Sequence, residues 1–314
     1  MQAQMTRRDL LVNSTLAAVA TMTTPAVGFA EQIPFTQGSA KPRFKTLPGT
    51  CDTHFHIYND KFPAAANASL VPPNASVADY RRLRDRLGFE RSVIVQPSTY
   101  GTDNACLLEG LAELGNAARG IAVVDTSVTD DELQKLGSRG VRGIRFNFGR
   151  AGATTIDMVE PLSARIADLG WHIQVHIKGD DLADHASLFS RLPVTVVFDH
   201  LGRVTQPNAD RHPAFKLVSD LLAKGKAYTK ISSMYQDTLV GPPTYADMGV
   251  IAKGYIKTAP ERVLWGSDWP HPSPGKYGKP DDALLMDLAT EWAGDDETRQ
   301  KLFVDNPARL YGFQ

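Results

Sequence analysis

Thr50-Cys51-Asp52-Thr53-His54-Phe55-His56-Ile57 is the first of eight short, apolar-leaning runs, and its reading organises the rest of the chain. A β-strand alternates its side chains between two faces, so Asp52, His54 and His56 are expected to project together while Thr53 and Phe55 face the other way. Two neutral imidazoles on one strand face make a ready claw for a divalent metal. Taken alone, the pair serves equally well as filling for a polar strand end, and the sequence downstream has to decide.

Seven further runs follow, at 91–98, 119–126, 141–148, 171–178, 194–201, 227–234 and 263–270. Most are rich in β-branched residues. Val93-Ile94-Val95 and the stretch 194–198 are almost continuously apolar, the mark of a parallel strand buried on both faces. Between the runs, at 77–87, 104–116, 156–169, 181–189 and 215–224, apolar residues recur at three- and four-residue spacing and predict helices. Strands alternating with helices in this way predict an α/β fold, a single-domain (β/α)8 TIM barrel over residues 48–314. The competing arrangement is an open doubly wound sheet, but no glycine-rich phosphate loop follows the first strand, and Gly140 and Gly143 flank the start of a strand as a turn would.

Composition narrows the function. The 314 residues are 42% hydrophobic and 22% charged, which excludes collagen-like, coiled-coil and disordered classes and allows one large core. With 34 basic against 35 acidic residues and no long run of either sign, the chain offers no footprint for nucleic acid or an anionic membrane. A small-molecule substrate is the expected partner; oligomeric state is not legible.

Residues 1–30 read as an export segment. Thr6-Arg7-Arg8-Asp9-Leu10-Leu11 sets an arginine pair before a mildly apolar stretch, and Gly28-Phe29-Ala30 supplies the small residues of a cleavage site. The pattern resembles a twin-arginine signal, which implies a periplasmic protein starting near Glu31, followed by a polar leader over 31–47. The other reading is an amphipathic helix kept in the product. Cys51 and Cys106, the only cysteines, fall in a strand and a helix and are expected to be buried free thiols.

In a barrel of this kind the active site lies at the carboxyl ends of the strands. Those ends carry His54 and His56, Arg145 and Asn147, His176, Asp199 and His200, Lys230 and Ser232, and Asp268. Core packing does not account for so many ionisable groups at one end, because each is costly to bury unless paired or coordinated. Lys230 either neutralises a substrate carboxylate or pairs with Asp52 or Asp199. His271, at the rim after Trp269-Pro270, either shapes the pocket or meets the substrate.

The motifs Asp52-Thr53-His54-Phe55-His56, Gly143-Ile144-Arg145-Phe146-Asn147-Phe148, Asp199-His200-Leu201-Gly202-Arg203, Trp265-Gly266-Ser267-Asp268-Trp269-Pro270-His271-Pro272 and Asn306-Pro307-Ala308-Arg309-Leu310-Tyr311 together resemble the amidohydrolase superfamily. They are most similar to its branch of 2-pyrone-4,6-dicarboxylate lactonases, over about residues 48–311. The resemblance implies a distorted (β/α)8 barrel that hydrolyses lactones. It places the family's paired strand-one histidines at His54 and His56, its sixth-strand histidine at His200 and its final aspartate at Asp268. Two departures stand out. His176 occupies the place of a tyrosine in the metal-free pyrone lactonases, and metal-dependent relatives carry histidine there. Of the arginines that clamp substrate carboxylates, Arg145 matches one and Arg150 falls near a second, while the seventh-strand arginine is replaced around Gln236.

Ester hydrolysis needs a base for water, a positive centre for the oxyanion and a donor for the leaving oxygen. Asp268 is the expected base, with His200 polarising the carbonyl. Arg145, Asn147, Arg150, Lys230, Gln236 and His271 are the expected substrate contacts. His54, His56, His176 and Asp268 are the expected ligands of one divalent metal, zinc, with protonated imidazoles meeting the oxyanion if no metal binds. Two other readings use the same parts: a metal-dependent decarboxylase of an unsaturated acid, and a periplasmic ligand binder without catalysis.

Overall fold

The computed structural model describes residues 32–149, 152–207 and 209–314. The expected export segment and Arg150 lie outside the described residues. Strands and helices alternate along the chain: β1 (Cys51–Phe55), α1 (Val77–Leu87), β2 (Arg91–Val95), α2 (Ala105–Leu114), β3 (Ala118–Ala122), α3 (Asp130–Ser138), β4 (Val141–Asn147) and α4 (Val159–Ala167). The second half continues with β5 (His172–His176), α5 (Gly179–Asp184), α6 (Ala186–Arg191), β6 (Val196–Phe198), α7 (Pro213–Ala223), β7 (Ala227–Ile231), α8 (Met234–Asp237), α9 (Ala246–Thr258), β8 (Val263–Trp265) and α10 (Asp282–Ala293). The eight strands pair in parallel in sequence order. A parallel bridge from Phe55 to Trp269, with Asp268 N–H donating to His54 O at 2.7 Å, brings the eighth strand's extension back to the first. This is the (β/α)8 barrel.

Local chemistry explains the elements. Ser76 and Asp79 form a capping box at the start of α1, and Thr129 with Glu132 does the same for α3. Gly88 ends α1 at φ 82°, a left-handed position where a side chain would be strained. One apolar cluster fills the space between strands and helices. A second, including Cys51, Val93, Val95, Val197, Leu264 and Tyr311, packs inside the barrel. Cys51 and Cys106 are free and buried, as expected. Among the described residues no helix is long and apolar enough to cross a membrane.

Several expectations need correction. The strands within 194–201 and 263–270 are only three residues long, because the chain leaves extended geometry at His200, Leu201 and Arg203 and again at Asp268 and His271, all with positive φ. The helix expected over 181–189 is two short helices divided at His185. Asp52 does not project with the two imidazoles. The β1–β2 register shifts between Asp52 and Phe55, and the Asp52 carboxylate accepts from Ser267 Oγ and from Tyr80 Oη of α1. Within the expected leader, described residues 34–43 bond to the barrel: Trp269 Nε1 donates to Pro34 O at 2.9 Å, buried Arg86 donates to Gln37 O and Ala40 O, and Asp287 accepts from Arg43 N.

Candidate active site

His54 is the penultimate residue of β1, which ends at Phe55, and His56 comes next; Asp268 lies three residues past β8. His54 Nε2 and His56 Nε2 are 3.4 Å apart, and Asp268 Oδ1 stands 3.5 Å from the first and 3.4 Å from the second. His200 Nε2 is 4.0 Å from the same oxygen. Side-chain ligand atoms of His54, His200 and Asp268 all lie within 4.8 Å of one another, and all three residues are buried. His56, Arg145, Asn147, His176, His200, Gln236 and Asp268 line a narrow cleft of about 30 Å³. A larger groove of about 510 Å³ on the barrel's flank, lined by Leu108, Val128 and Leu136, contains none of these ionisable groups.

The imidazoles' outer nitrogens settle what the inner ones offer. His56 Nδ1 is 2.7 Å from Val95 O, a carbonyl that can only accept, so the hydrogen is on Nδ1 and Nε2 presents a lone pair. His54 Nδ1 lies between Asp199 Oδ1 at 3.2 Å, which can only accept, and the Lys230 ammonium at 3.4 Å, which can only donate, so the two neighbours pull its hydrogen in opposite directions. The His56 lone pair and a carboxylate oxygen therefore converge, and His54 Nε2 completes the set when its hydrogen is on Nδ1 toward Asp199. Two ligand atoms on a tetrahedral centre with bonds of about 2.1 Å are about 3.4 Å apart, so this triangle fits a divalent cation. Carboxylate, imidazole and ligand position in line are the usual way a metal-binding histidine is oriented.

Burial pushes His54 well below the usual imidazole range and His200 down to about 4, so both are neutral near pH 7. Burial alone would raise the Asp268 carboxyl, but it is held well below the usual range, and the two hydroxyls that donate to its outer oxygen favour the ionised form. It is an acceptor at neutral pH. Its other oxygen, Oδ2, takes hydrogen bonds from Ser233 Oγ (2.8 Å) and Tyr235 Oη (2.6 Å). Asp268 and His271 sit at φ 60° and 56°, conformations costing on the order of 1–3 kcal/mol each that persist only where surroundings enforce them.

The structure brings together some of the expected site residues and separates others. His176 lines the cleft, but Arg203 Nη1 donates to its Nε2 at 2.8 Å, and Arg203 is itself held by both oxygens of Asp237. An arginine can only donate, so the lone pair expected for metal is taken; His200 stands nearer the ligand cluster. Lys230 is fully buried beneath the site, its ammonium donating to Thr53 O and Gln174 Oε1 and lying 3.7 Å from Asp199. It pairs with Asp199 instead of meeting substrate. His271 is also fully buried, between Tyr235 and Asp282, and does not line the cleft. Arg145 lines it while its guanidinium grips Asp199 Oδ2 through Nε and Nη2. Asn147 accepts from Gly149 N, and Gln236 donates to Ser233 Oγ. Ser233, Tyr235 and Arg203 escape the sequence reading, although each lies within a few residues past a strand end, where polar residues were the signal.

The family model described as amidohydrolase matches residues 51–313. The chain belongs to the amidohydrolase family. A 2-pyrone-4,6-dicarboxylate hydrolase of Comamonas testosteroni is 38% identical to this amidohydrolase over 284 residues, covering 87% of this chain and 93% of the relative. A 4-sulfomuconolactone hydrolase of Rhizobium radiobacter is 34% identical over 282 residues, with the same coverages. Among solved structures, the apo form of an Agrobacterium tumefaciens protein superposes with a TM-score of 0.83 at 29% identity, covering 89% of this chain and 99% of that one. This amidohydrolase is a hydrolase enzyme acting on small molecules.

Proposed function

We propose that this amidohydrolase opens a carboxylate-bearing or sugar-derived lactone by attack of water, with Asp268 as general base. The observation that carries the reading is the triangle of His54 Nε2, His56 Nε2 and Asp268 Oδ1 at 3.4–3.5 Å beside a cleft that Arg145 lines. The two curated relatives, named for hydrolysis of a pyrone dicarboxylate and of a sulfomuconolactone, support a lactone as substrate.

Asp268 stays ionised at neutral pH and takes the proton of the attacking water at Oδ1, since Oδ2 is already committed to two hydroxyls. In this reading Ser232 Oγ, 2.8 Å from His200 Nδ1, is the donor of that pair, and His200 Nε2 carries the hydrogen as a neutral donor to the substrate carbonyl. Arg145, anchored on Asp199 through Nε and Nη2 and on Gln96 O through one Nη1 hydrogen, turns its remaining Nη1 hydrogen to a substrate carboxylate. The Asp268 proton then passes to the leaving ring oxygen. His54, His56 and Asp268 would hold one divalent metal, zinc, and when bound it supplies Lewis acidity to the carbonyl. The arginine pair Arg7-Arg8 supports export to the periplasm by the twin-arginine route; retention of the protein in the cytoplasm of a wild-type host would refute that part.

A pH-indicator assay of purified protein against a panel of γ- and δ-lactones, some carrying carboxylates and some hydroxyls, tests the reading. Stoichiometric acid release from at least one lactone is expected. Carbon dioxide release from an unsaturated acid, with no lactone opened, would replace it with the decarboxylase reading.

A further inference from the structure

The two oxygens of Asp268 have separate surroundings. Oδ1 faces the imidazoles, while Oδ2 accepts from Ser233 and Tyr235. Tyr235 has a single hydroxyl hydrogen and gives it to Asp268, so its oxygen offers a lone pair to His271 Nδ1, 3.0 Å away, and that nitrogen must carry hydrogen. The far ring nitrogen, Nε2, stands 3.0 Å from Asp282 Oδ2 in the first turn of α10. Tyr235, His271 and Asp282 are 1%, 0% and 0% exposed, and none lines the cleft. An imidazole and a carboxyl are costly to desolvate, and apolar side chains of similar volume would fill this space as well. Asp282 Oδ1 even lacks a hydrogen-bond partner among the described residues. Packing alone does not account for the chain.

We propose that Tyr235, His271 and Asp282 form a buried positioning chain that fixes the rotation of the Asp268 carboxylate and so aims Oδ1 at the reacting centre. The inference rests on Asp268 being the base, as read above. Asp282 sets the imidazole ring, the ring sets the Tyr235 hydroxyl, and the hydroxyl sets Oδ2. The side chains of His271 and Asp282 reach Asp268 only through Tyr235, which distinguishes this arrangement from three residues that merely stabilise the turn after β8.

The test compares wild type with Tyr235→Phe, His271→Asn, His271→Gln, the double variant Tyr235→Phe/His271→Gln, and Asp268→Asn. Each is measured on the best lactone of the panel, by thermal melting, and by cobalt(II) titration of chelator-stripped protein followed by absorbance. Tyr235→Phe removes one hydroxyl and no packing volume. It is expected to lower kcat and weaken cobalt(II) binding by about ten- to a hundredfold, the usual range for a partner behind a ligating group, with KM and melting temperature near wild type. His271→Asn, whose amide nitrogen overlays Nδ1, should retain more activity than His271→Gln, whose amide reaches the place of Nε2. The double variant should lose no more than its worse single variant, since both changes cut one path. Losses that multiply in the double variant, or a Tyr235→Phe enzyme as fast as wild type beside an inactive Asp268→Asn, would overturn the chain alone. Wild-type turnover by Asp268→Asn would instead overturn the reading of the base, and the chain with it.

Discussion

Asp199→Asn is the perturbation whose consequences the structure specifies most fully. The carboxylate is wholly buried and has four partners: Arg145 through Nε (3.3 Å) and Nη2 (3.2 Å), Gln174 Nε2 (3.2 Å), His54 Nδ1 (3.2 Å) and Lys230 Nζ (3.7 Å). An amide of the same shape still accepts from Arg145 and Gln174 but carries no charge. Arg145 and Lys230 then share the interior with one anion fewer, and breaking a buried ion pair from one side costs about 3–5 kcal/mol. Burial has already pushed Lys230 down to about 8, so it can shed its proton once Asp199 is neutral, which places the expected loss near the lower bound, about 3 kcal/mol. The same change removes the carboxylate that His54 Nδ1 faces. Lys230 is then the charged-group neighbour left at Nδ1, a donor that draws the hydrogen to Nε2, and divalent-metal affinity should drop by about ten- to a hundredfold. Urea unfolding of the metal-stripped protein at pH 7 measures the first effect, and cobalt(II) titration measures the second. A variant within about 1 kcal/mol of wild type that also binds metal normally would refute both the buried network and its role behind His54.

Three other outcomes are expected. Asp268→Asn keeps the volume but cannot accept a proton, so turnover on the lactone panel should vanish while the fold, followed by circular dichroism, remains. His176→Phe should leave metal stoichiometry unchanged, because Arg203 already occupies its Nε2; loss of the metal by elemental analysis would return His176 to the ligand set. Burial pushes His172 down to about 3, so the unfolded chain takes up a proton below pH 6.5 that the folded chain refuses. Stability from this group is whole above pH 6.5 and declines below it, by about 3 kcal/mol between pH 7 and 4, and His172→Gln should remove that share of the acid sensitivity in paired urea melts; an unchanged difference between the two pH values would contradict it.

The barrel was legible because parallel strands buried on both faces leave continuous apolar runs such as Val93-Ile94-Val95 in the sequence. The strand ends were less so: Asp199 to Arg203 and Gly266 to His271 look extended by composition, and nothing in a residue's type announces the left-handed backbone at His200 or Asp268. Asp52 was misplaced for a related reason, since strict alternation fails where the register shifts beside β2. The chemical types of the site were readable at His54, His56, His200 and Asp268, because ionisable residues at the ends of apolar runs need partners. Partners themselves were not. Arg203, past β6, meets His176 at the end of β5, Asp199 meets Lys230 between β6 and β7, and Tyr235 meets His271 from α8, contacts that only the closed barrel creates.

Elemental analysis of protein purified without chelator, with lactone hydrolysis measured before chelation, after it and after adding the metal back, tests the central claim most directly. About one divalent ion per chain, activity lost on stripping and restored by zinc, is the predicted result. Full activity in rigorously metal-depleted wild-type protein would contradict it, and His54 and His56 would then have to act as hydrogen-bonding groups toward the substrate carbonyl.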